Sequence, residues 1–209
     1  MKDIADCRLY GILDLGYCDR EKLVAMAREM IAGDIDIIQL RAKNHAPEDI
    51  LAMGREILPV TRDAGIPFII NDHPEIAAEL ESDGVHVGQD DPSMGMVRRI
   101  VGDDMLVGRS THSLAQAHDG AAEEADYIGF GPLFATPTKP DYTPIGTEDI
   151  AAVHREYPEL PIFCIGGVKK ENLPEILAAG ARRVVIVSGI LQAPDVPGYI
   201  REVKAALLG

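Results

Sequence analysis

Ile37-Ile38-Gln39-Leu40-Arg41-Ala42-Lys43 begins as a strand and ends as a binding turn. Its first residues are apolar without alternation, the pattern of a strand covered on both faces. The same character recurs in Pro67-Phe68-Ile69-Ile70, Ile162-Phe163-Cys164-Ile165 and Val184-Val185-Ile186-Val187. Strands of this kind belong to parallel sheets, whose crossover helices cover both faces.

Working outward, eight strands are predicted: Arg8–Leu13, Asp36–Leu40, Pro67–Ile70, Gly84–Val87, Leu106–Gly108, Tyr127–Gly129, Pro161–Ile165 and Arg183–Val187. Amphipathic helices separate them. Asp19 is placed to cap a helix with apolar positions Leu23, Met26, Ala27, Met30 and Ile31. Pro47 opens the next helix at its first turn. Ser93, Ser113, Thr147 and Asn172 stand where later caps are expected. Gly33, Gly65, Gly102 and Gly180 follow helices, where a left-handed residue is common.

Eight βα units in 209 residues leave roughly 26 residues per unit, enough for closure. The expected fold class is α/β, a single-domain (β/α)8 TIM barrel over residues 1–209. The competing architecture is an open doubly wound sheet, which predicts a glycine-rich fingerprint after the first strand. Leu13-Asp14-Leu15-Gly16 carries none. The longest irregular segment, Phe130–Gly146, follows strand six, and so long a loop in so compact a chain is usually functional.

Composition narrows the function. Lys and Arg total 20 against 34 Asp and Glu, a formal charge of -14, which opposes binding to nucleic acid or an anionic membrane. With Trp absent and aromatics at 5%, no stacking platform for nucleic acid is indicated. The cysteines are Cys7, Cys18 and Cys164, with no C-x-x-C pair, so neither a disulfide framework nor a thiolate zinc site is expected. The charged start MKDIADCRLYG does not read as a signal peptide, and no apolar run is long enough for a membrane span. A cytoplasmic protein is expected. Its few basic residues must be concentrated locally if its ligands are anionic.

They are concentrated at the strand ends, where barrel active sites form. Gln39, Arg41 and Lys43 point the same way by alternation. Asn71-Asp72 ends strand three and Gly88-Gln89-Asp90-Asp91 follows strand four. Either aspartate also reads as a turn or capping residue, but two carboxylates at neighbouring strand ends suit Mg2+, which usually takes one or two carboxylates and completes its shell with phosphate and water. Ser110 follows strand five, with His112 a weaker acid–base candidate. The strand-six loop offers Thr136, Thr138 and Lys139. Gly166-Gly167 and Ser188-Gly189 follow strands seven and eight, where backbone N–H groups and helix N-termini form a recurrent phosphate site.

Seven of these segments, in order, resemble the thiamine-phosphate synthase family. QLRAK resembles its Q-L-R-x-K, NDHPEIA its N-D-R-x-D-I-A, GVHVGQDD its G-V-H-x-G-Q-x-D and GRSTH its G-x-S-x-H. ADYIGFGPLFATPTK resembles its A-D-Y-x-G-x-G-P-x-F-x-T-x-T-K, while CIGGV and VVIVSGI resemble its last two phosphate turns. Three departures stand out: His73 replaces a usual Arg, Arg109 a smaller residue and Gly189 a usual Ala.

The resemblance implies an enzyme that condenses an aminopyrimidine methyl diphosphate with a thiazole phosphate, or its carboxylated form, releasing diphosphate. It implies that Gln39, Leu40, Arg41, Ala42, Lys43, Asn71, Ser110 and Lys139 bind the pyrimidine diphosphate. Arg41, Lys43, Ser110 and Lys139 are its implied catalytic set, and Asp72 and Asp91 its Mg2+ ligands. Thr136, Pro137, Thr138, Gly167, Val187 and Ser188 are the implied thiazole phosphate contacts. A dissociative, carbocation-like path is implied, and a homo-oligomer is left open. Two other readings remain: a related thiazole tautomerase, which generally lacks the Asn-Asp and Asp91 turns, and a non-catalytic phosphate-binding barrel, which needs neither the carboxylate pair nor Lys139.

Overall fold

The computed structural model describes residues 2–136 and 142–209. Eight parallel strands close in sequence order, β1 to β8, into a barrel. They are β1 (Leu9–Asp14), β2 (Ile37–Arg41), β3 (Phe68–Asn71), β4 (Gly84–Val87), β5 (Leu106–Thr111), β6 (Tyr127–Phe130), β7 (Ile162–Cys164) and β8 (Val184–Ile186). Closure comes from the pairing of β1 with β8, Leu9 opposite Val184 and Gly11 opposite Ile186. All eight expected strands are present; β4 has the expected bounds, and the other ends differ by at most three residues. β5 runs on to Thr111 because Arg109, Ser110 and Thr111 stay in register with Ile128, Gly129 and Phe130 of β6.

The helices are α1 (Leu23–Ala32), α2 (Pro47–Asp63), α3 (Pro74–Leu80), α4 (Met94–Val101), α5 (Leu114–Ala122), α6 (Ile150–Glu156), α7 (Leu173–Ala178), α8 (Ser188–Leu191) and α9 (Val196–Leu208). Pro47 opens α2 as expected. Ser113 caps α5, its side chain accepting the Gln116 N–H. Asp19 instead precedes a 3-10 turn and pairs with Lys22 at 2.6 Å. Thr147 does not cap α6, which begins after Asp149. Gly65, Gly102 and Gly180 adopt the positive φ that relieves glycine alone of a steric cost, whereas Gly33 ends α1 right-handed at φ -83°.

Period-two alternation divides the barrel into two cores. Tyr10, Ile12, Ile37, Ile69, Tyr127, Phe163 and Val185 fill the interior. Their neighbours Leu9, Leu13, Ile38, Leu40, Phe68, Ile70, Ile128 and Ile186 face the helices. Inward alternation therefore carries Gln39, Arg41, Asn71, His86, Ser110 and Val187 to the C-terminal mouth. The opposite end is pinned by Asp36, which is 3% exposed and accepts from Lys2, Lys204 and the Arg8 and Leu9 N–H groups.

Candidate active site

The floor of the mouth is aromatic. The Phe163 ring meets Tyr10 and Tyr127 edge-on, with centroids 5.5 and 5.7 Å apart, the favoured geometry for ring quadrupoles. Above the floor a cleft opens at the C-terminal mouth of the barrel, the place where barrel enzymes bind their ligands. Gln39, Arg41, Asn71, Ser110, Thr136, Gly167, Val187 and Ser188 all line it. The structure thus gathers these sequence-predicted residues, from six strands or strand ends, around one space.

A buried polar chain crosses that floor. Gln39 Nε2 donates to Tyr10 Oη at 2.8 Å, and Tyr10 Oη lies 3.1 Å from Tyr127 Oη. His86 Nδ1 is 3.3 Å from Tyr127 Oη, and its Nε2 is 3.0 Å from Ser110 Oγ. An amide N–H must donate, so the Gln39 bond has a fixed direction, whereas the directions from Tyr10 to Ser110 follow the His86 tautomer. With the His86 proton on Nε2, that nitrogen donates to Ser110 and the Ser110 proton is left to point into the cleft. Burial pushes both phenols above their ordinary range, so they remain neutral donors. Gln89 Nε2 donates to the Ser110 carbonyl at 2.6 Å.

A charged cluster stands at the ends of β1 to β4, with Arg41 lining the cleft and Lys43, Asp72 and Asp91 beside it rather than in its lining. Arg41 Nη1 donates to Asp14 Oδ2 at 2.6 Å, so its guanidinium is held by a carboxylate at the adjacent strand end. Lys43 pairs with Asp72 Oδ2. Asp72 has φ 63°, a left-handed conformation uncommon outside glycine, and its N–H donates to the His86 carbonyl. Asp91 Oδ2 accepts the Gly88 N–H at 2.6 Å. Burial, then the nearby Asp72 carboxylate, raises the Asp91 pKa against the pull of the Gly88 N–H.

Two interacting carboxylates in partial burial favour a cation between them. Asp72 Oδ2 is buried, and the Lys43 charge meets it there. Among the described residues no group of three or more His, Cys, Asp or Glu side chains forms a metal cage. The two neighbouring carboxylates have the chemistry to hold a hard ion that takes one or two protein oxygens and fills its shell from ligand and solvent, not a metal requiring a full protein cage.

The opposite wall is backbone. Leu133 N–H donates to the Ile165 carbonyl and Phe134 N–H to that of Gly166, so the strand-six loop lies along the end of β7. Gly166 and Gly167 have φ 94° and 66°; a Cβ on Gly166 would sit 2.3 Å from Pro132 Cα, and one on Gly167 2.7 Å from Phe134 Cβ. Glycine is needed here for loop packing as well as for ligand approach. Asn172 stands at the N-cap position of α7 as expected, but its side chain braces this turn: its Oδ1 accepts from Lys169 N–H and its Nδ2 donates to the Gly167 carbonyl.

Several sequence expectations need adjustment. The Leu40 and Ala42 side chains lie in the helix-facing core, so only their backbones are available to a ligand. Pro137, Thr138 and Lys139 lie outside the described residues. Arg109 is 8% exposed and reaches toward the Pro92 carbonyl on the outer side of β5, away from the mouth. Asp14, Tyr10, His86 and Tyr127 were not singled out from the sequence. Asp14 had the same signal as the chosen residues, a polar group ending a buried strand, and His86 lies at an inward position of β4.

A (β/α)8 barrel whose mouth joins basic groups and paired carboxylates to glycine-rich turns has the build of a phosphate-handling enzyme. The model of the family described as thiamine monophosphate synthase matches residues 9–190. The thiamine-phosphate synthase of Chloroflexus aurantiacus is 37% identical over 203 residues, covering 97% of this chain and 93% of the relative. That of Thermus thermophilus is 40% identical over 179 residues, 86% of each chain. The structure of thiamine phosphate pyrophosphorylase from Pyrococcus furiosus superposes with a TM-score of 0.87 at 27% identity, covering 98% of this chain and 97% of that one. The chain belongs to the thiamine monophosphate synthase family, whose members are transferases. Among the described residues no helix is long and apolar enough to cross a membrane.

Proposed function

We propose that this enzyme joins 4-amino-2-methyl-5-(diphosphooxymethyl)pyrimidine to 4-methyl-5-(2-phosphooxyethyl)thiazole, forming thiamine phosphate and releasing diphosphate in the cytoplasm. The observation that carries the reading is the division of the mouth. On one side Arg41 lines the cleft, with Lys43, Asp72 and Asp91 clustered at the neighbouring strand ends; the other side offers the Gly166–Gly167 turn, Val187 and Ser188. One wall suits a diphosphate with its metal, the other a lone phosphate.

In the reaction the methylene C–O bond breaks and diphosphate leaves with the electron pair. The thiazole nitrogen supplies the pair for the new C–N bond. No proton is abstracted from that nitrogen, so no general base is required. Mg2+, held by Asp72 and Asp91, would neutralise charge on the leaving group. Arg41, fixed by Asp14, and Lys43 add positive charge on the same side, and Lys139 is proposed to join them. Ser110, oriented by His86, donates toward the pyrimidine. The aromatic floor excludes water from a cationic methylene, and the two walls hold the partners in line.

Incubation with both substrates and Mg2+ tests the reading. The expected products are thiamine phosphate and diphosphate in equal amounts. Isomerisation of the thiazole phosphate alone, with no diphosphate formed, would point to the tautomerase reading, against which the paired carboxylates already weigh. Binding of both substrates without turnover would leave a non-catalytic barrel.

A further inference from the structure

Tyr199 lies outside the motifs and does not line the cleft. It sits in the first turns of α9, half-buried, beneath the ends of β7 and β8. Its Oη accepts the Lys170 N–H at 2.8 Å. Lys170 belongs to the turn that Asn172 ties to the Gly167 carbonyl at 2.9 Å. The same Oη lies 2.5 Å from the position a Cβ would take on Gly189, and the ring carbon bearing it lies 3.2 Å away. Gly189 directly follows Ser188. One phenol hydroxyl is thus bonded to the turn after β7 and packed against the turn after β8. Above the ring lies Lys170 Nζ, 5.6 Å from the centroid and paired with Glu202 at 2.6 Å.

Gly189 is therefore more than a loss of a methyl group. In a chain with Tyr199, an alanine here would overlap the hydroxyl. Either the phenol shifts and releases Lys170 N–H, or the Ser188 turn is displaced.

We propose that Tyr199 is a positioning residue that fixes the spacing between the two phosphate-binding turns, and that Gly189 is the partner its hydroxyl requires. The inference rests on the proposed function, in which those turns hold the thiazole phosphate. Tyr199 touches no reacting atom. Its influence is expected in affinity for the thiazole phosphate, with the pyrimidine wall unaffected.

The test is a double-mutant cycle with steady-state kinetics for each substrate. Tyr199→Phe should raise the KM for the thiazole phosphate about fivefold, the effect of one lost neutral hydrogen bond, with kcat and the KM for the pyrimidine diphosphate held. Gly189→Ala should raise the same KM at least as much. The double variant should fall well short of the sum of the two single effects, because removing the hydroxyl relieves the 2.5 Å overlap and leaves only the milder approaches to Ile186 Cγ2 at 3.0 Å and the ring carbon at 3.2 Å. Additive effects, or an unchanged thiazole KM in Tyr199→Phe, would overturn the inference. Equal increases in both KM values accompanied by a lower melting temperature would make Tyr199 a merely structural residue. Wild-type enzyme that forms no thiamine phosphate removes the functional reading, and the clamp with it; active wild type with an unaffected Tyr199→Phe variant removes the clamp alone.

Discussion

Asp14 and Arg41 stand opposite each other in the β1–β2 register and meet at 2.6 Å, with their side chains 5% and 13% exposed. The guanidinium is thus fixed before any anion arrives. Substitution Asp14→Ala strands a mostly buried positive charge, for which a cost of about 3 kcal/mol is expected. The melting temperature should fall, and inorganic diphosphate should restore part of the loss by replacing the missing carboxylate. Equal melting of the two proteins, without ligand and with it, would remove the anchoring role.

Asp72→Asn and Asp91→Asn should each reduce turnover sharply while the barrel survives. The metal-free variants should melt close to the parent, because each relieves the burial and carboxylate repulsion that raise the Asp91 pKa while weakening one contact, Lys43 with Asp72 or the Gly88 N–H with Asp91. EDTA should abolish wild-type activity and Mg2+ restore it. Full turnover in EDTA would leave the two carboxylates with no metal to hold.

Lys139 follows Thr136 in the strand-six loop, outside the described residues. If it meets the leaving diphosphate, its charge matters most as the C–O bond breaks, so Lys139→Ala should lower kcat more than it changes KM. The loss expected is roughly 2–4 kcal/mol in barrier height, by analogy with oxyanion donors. Unchanged kcat would leave activation to Arg41, Lys43 and the metal.

Acid should unfold the protein by way of His154 and Asp36. Burial, then the nearby Arg182 and Arg183 charges, push the His154 pKa down to about 4, and its Nε2 is buried without a partner among the described residues. The folded pKa is depressed below the unfolded value, so this stability is fully present above pH ~6.5 and is lost as pH falls through about 4. Burial opposes the Asp36 charge, but Lys2, Lys204 and two backbone N–H groups outweigh it and lower its pKa, giving the same sign. His154→Leu should move the acid midpoint downward, with a gain of about 2 kcal/mol at the most acid pH where the fold persists. Circular dichroism is the suitable probe in a chain without Trp. A midpoint unmoved by His154→Leu would show that His154 does not govern acid unfolding.

The fold was legible because period and burial are local properties. Unalternating runs such as Ile37–Leu40 admit few environments other than a strand covered on both faces, and glycine or capping residues mark where each unit turns. The same alternation placed Gln39, Arg41 and Asn71 at the mouth. It should have drawn attention to Asp14 and His86, which obey the same rule, and it argued equally against the side chains of Leu40 and Ala42.

By itself, then, the sequence determined eight βα units, their order and the polar residues ending the strands. Hydrophobic period and turn chemistry act over a few residues and survive reading along a line. Closure decided the rest. Asp14 reaches Arg41, Lys43 reaches Asp72, and Gln39 connects to Ser110 through Tyr10, Tyr127 and His86 only because the strands carrying them are brought into one ring. The bracing of Gly167 by Asn172 and the packing of Tyr199 against Gly189 likewise depend on where α9 and two turns settle. These are angular, pairwise geometries set by packing between distant segments, and no local pattern of residue types encodes them.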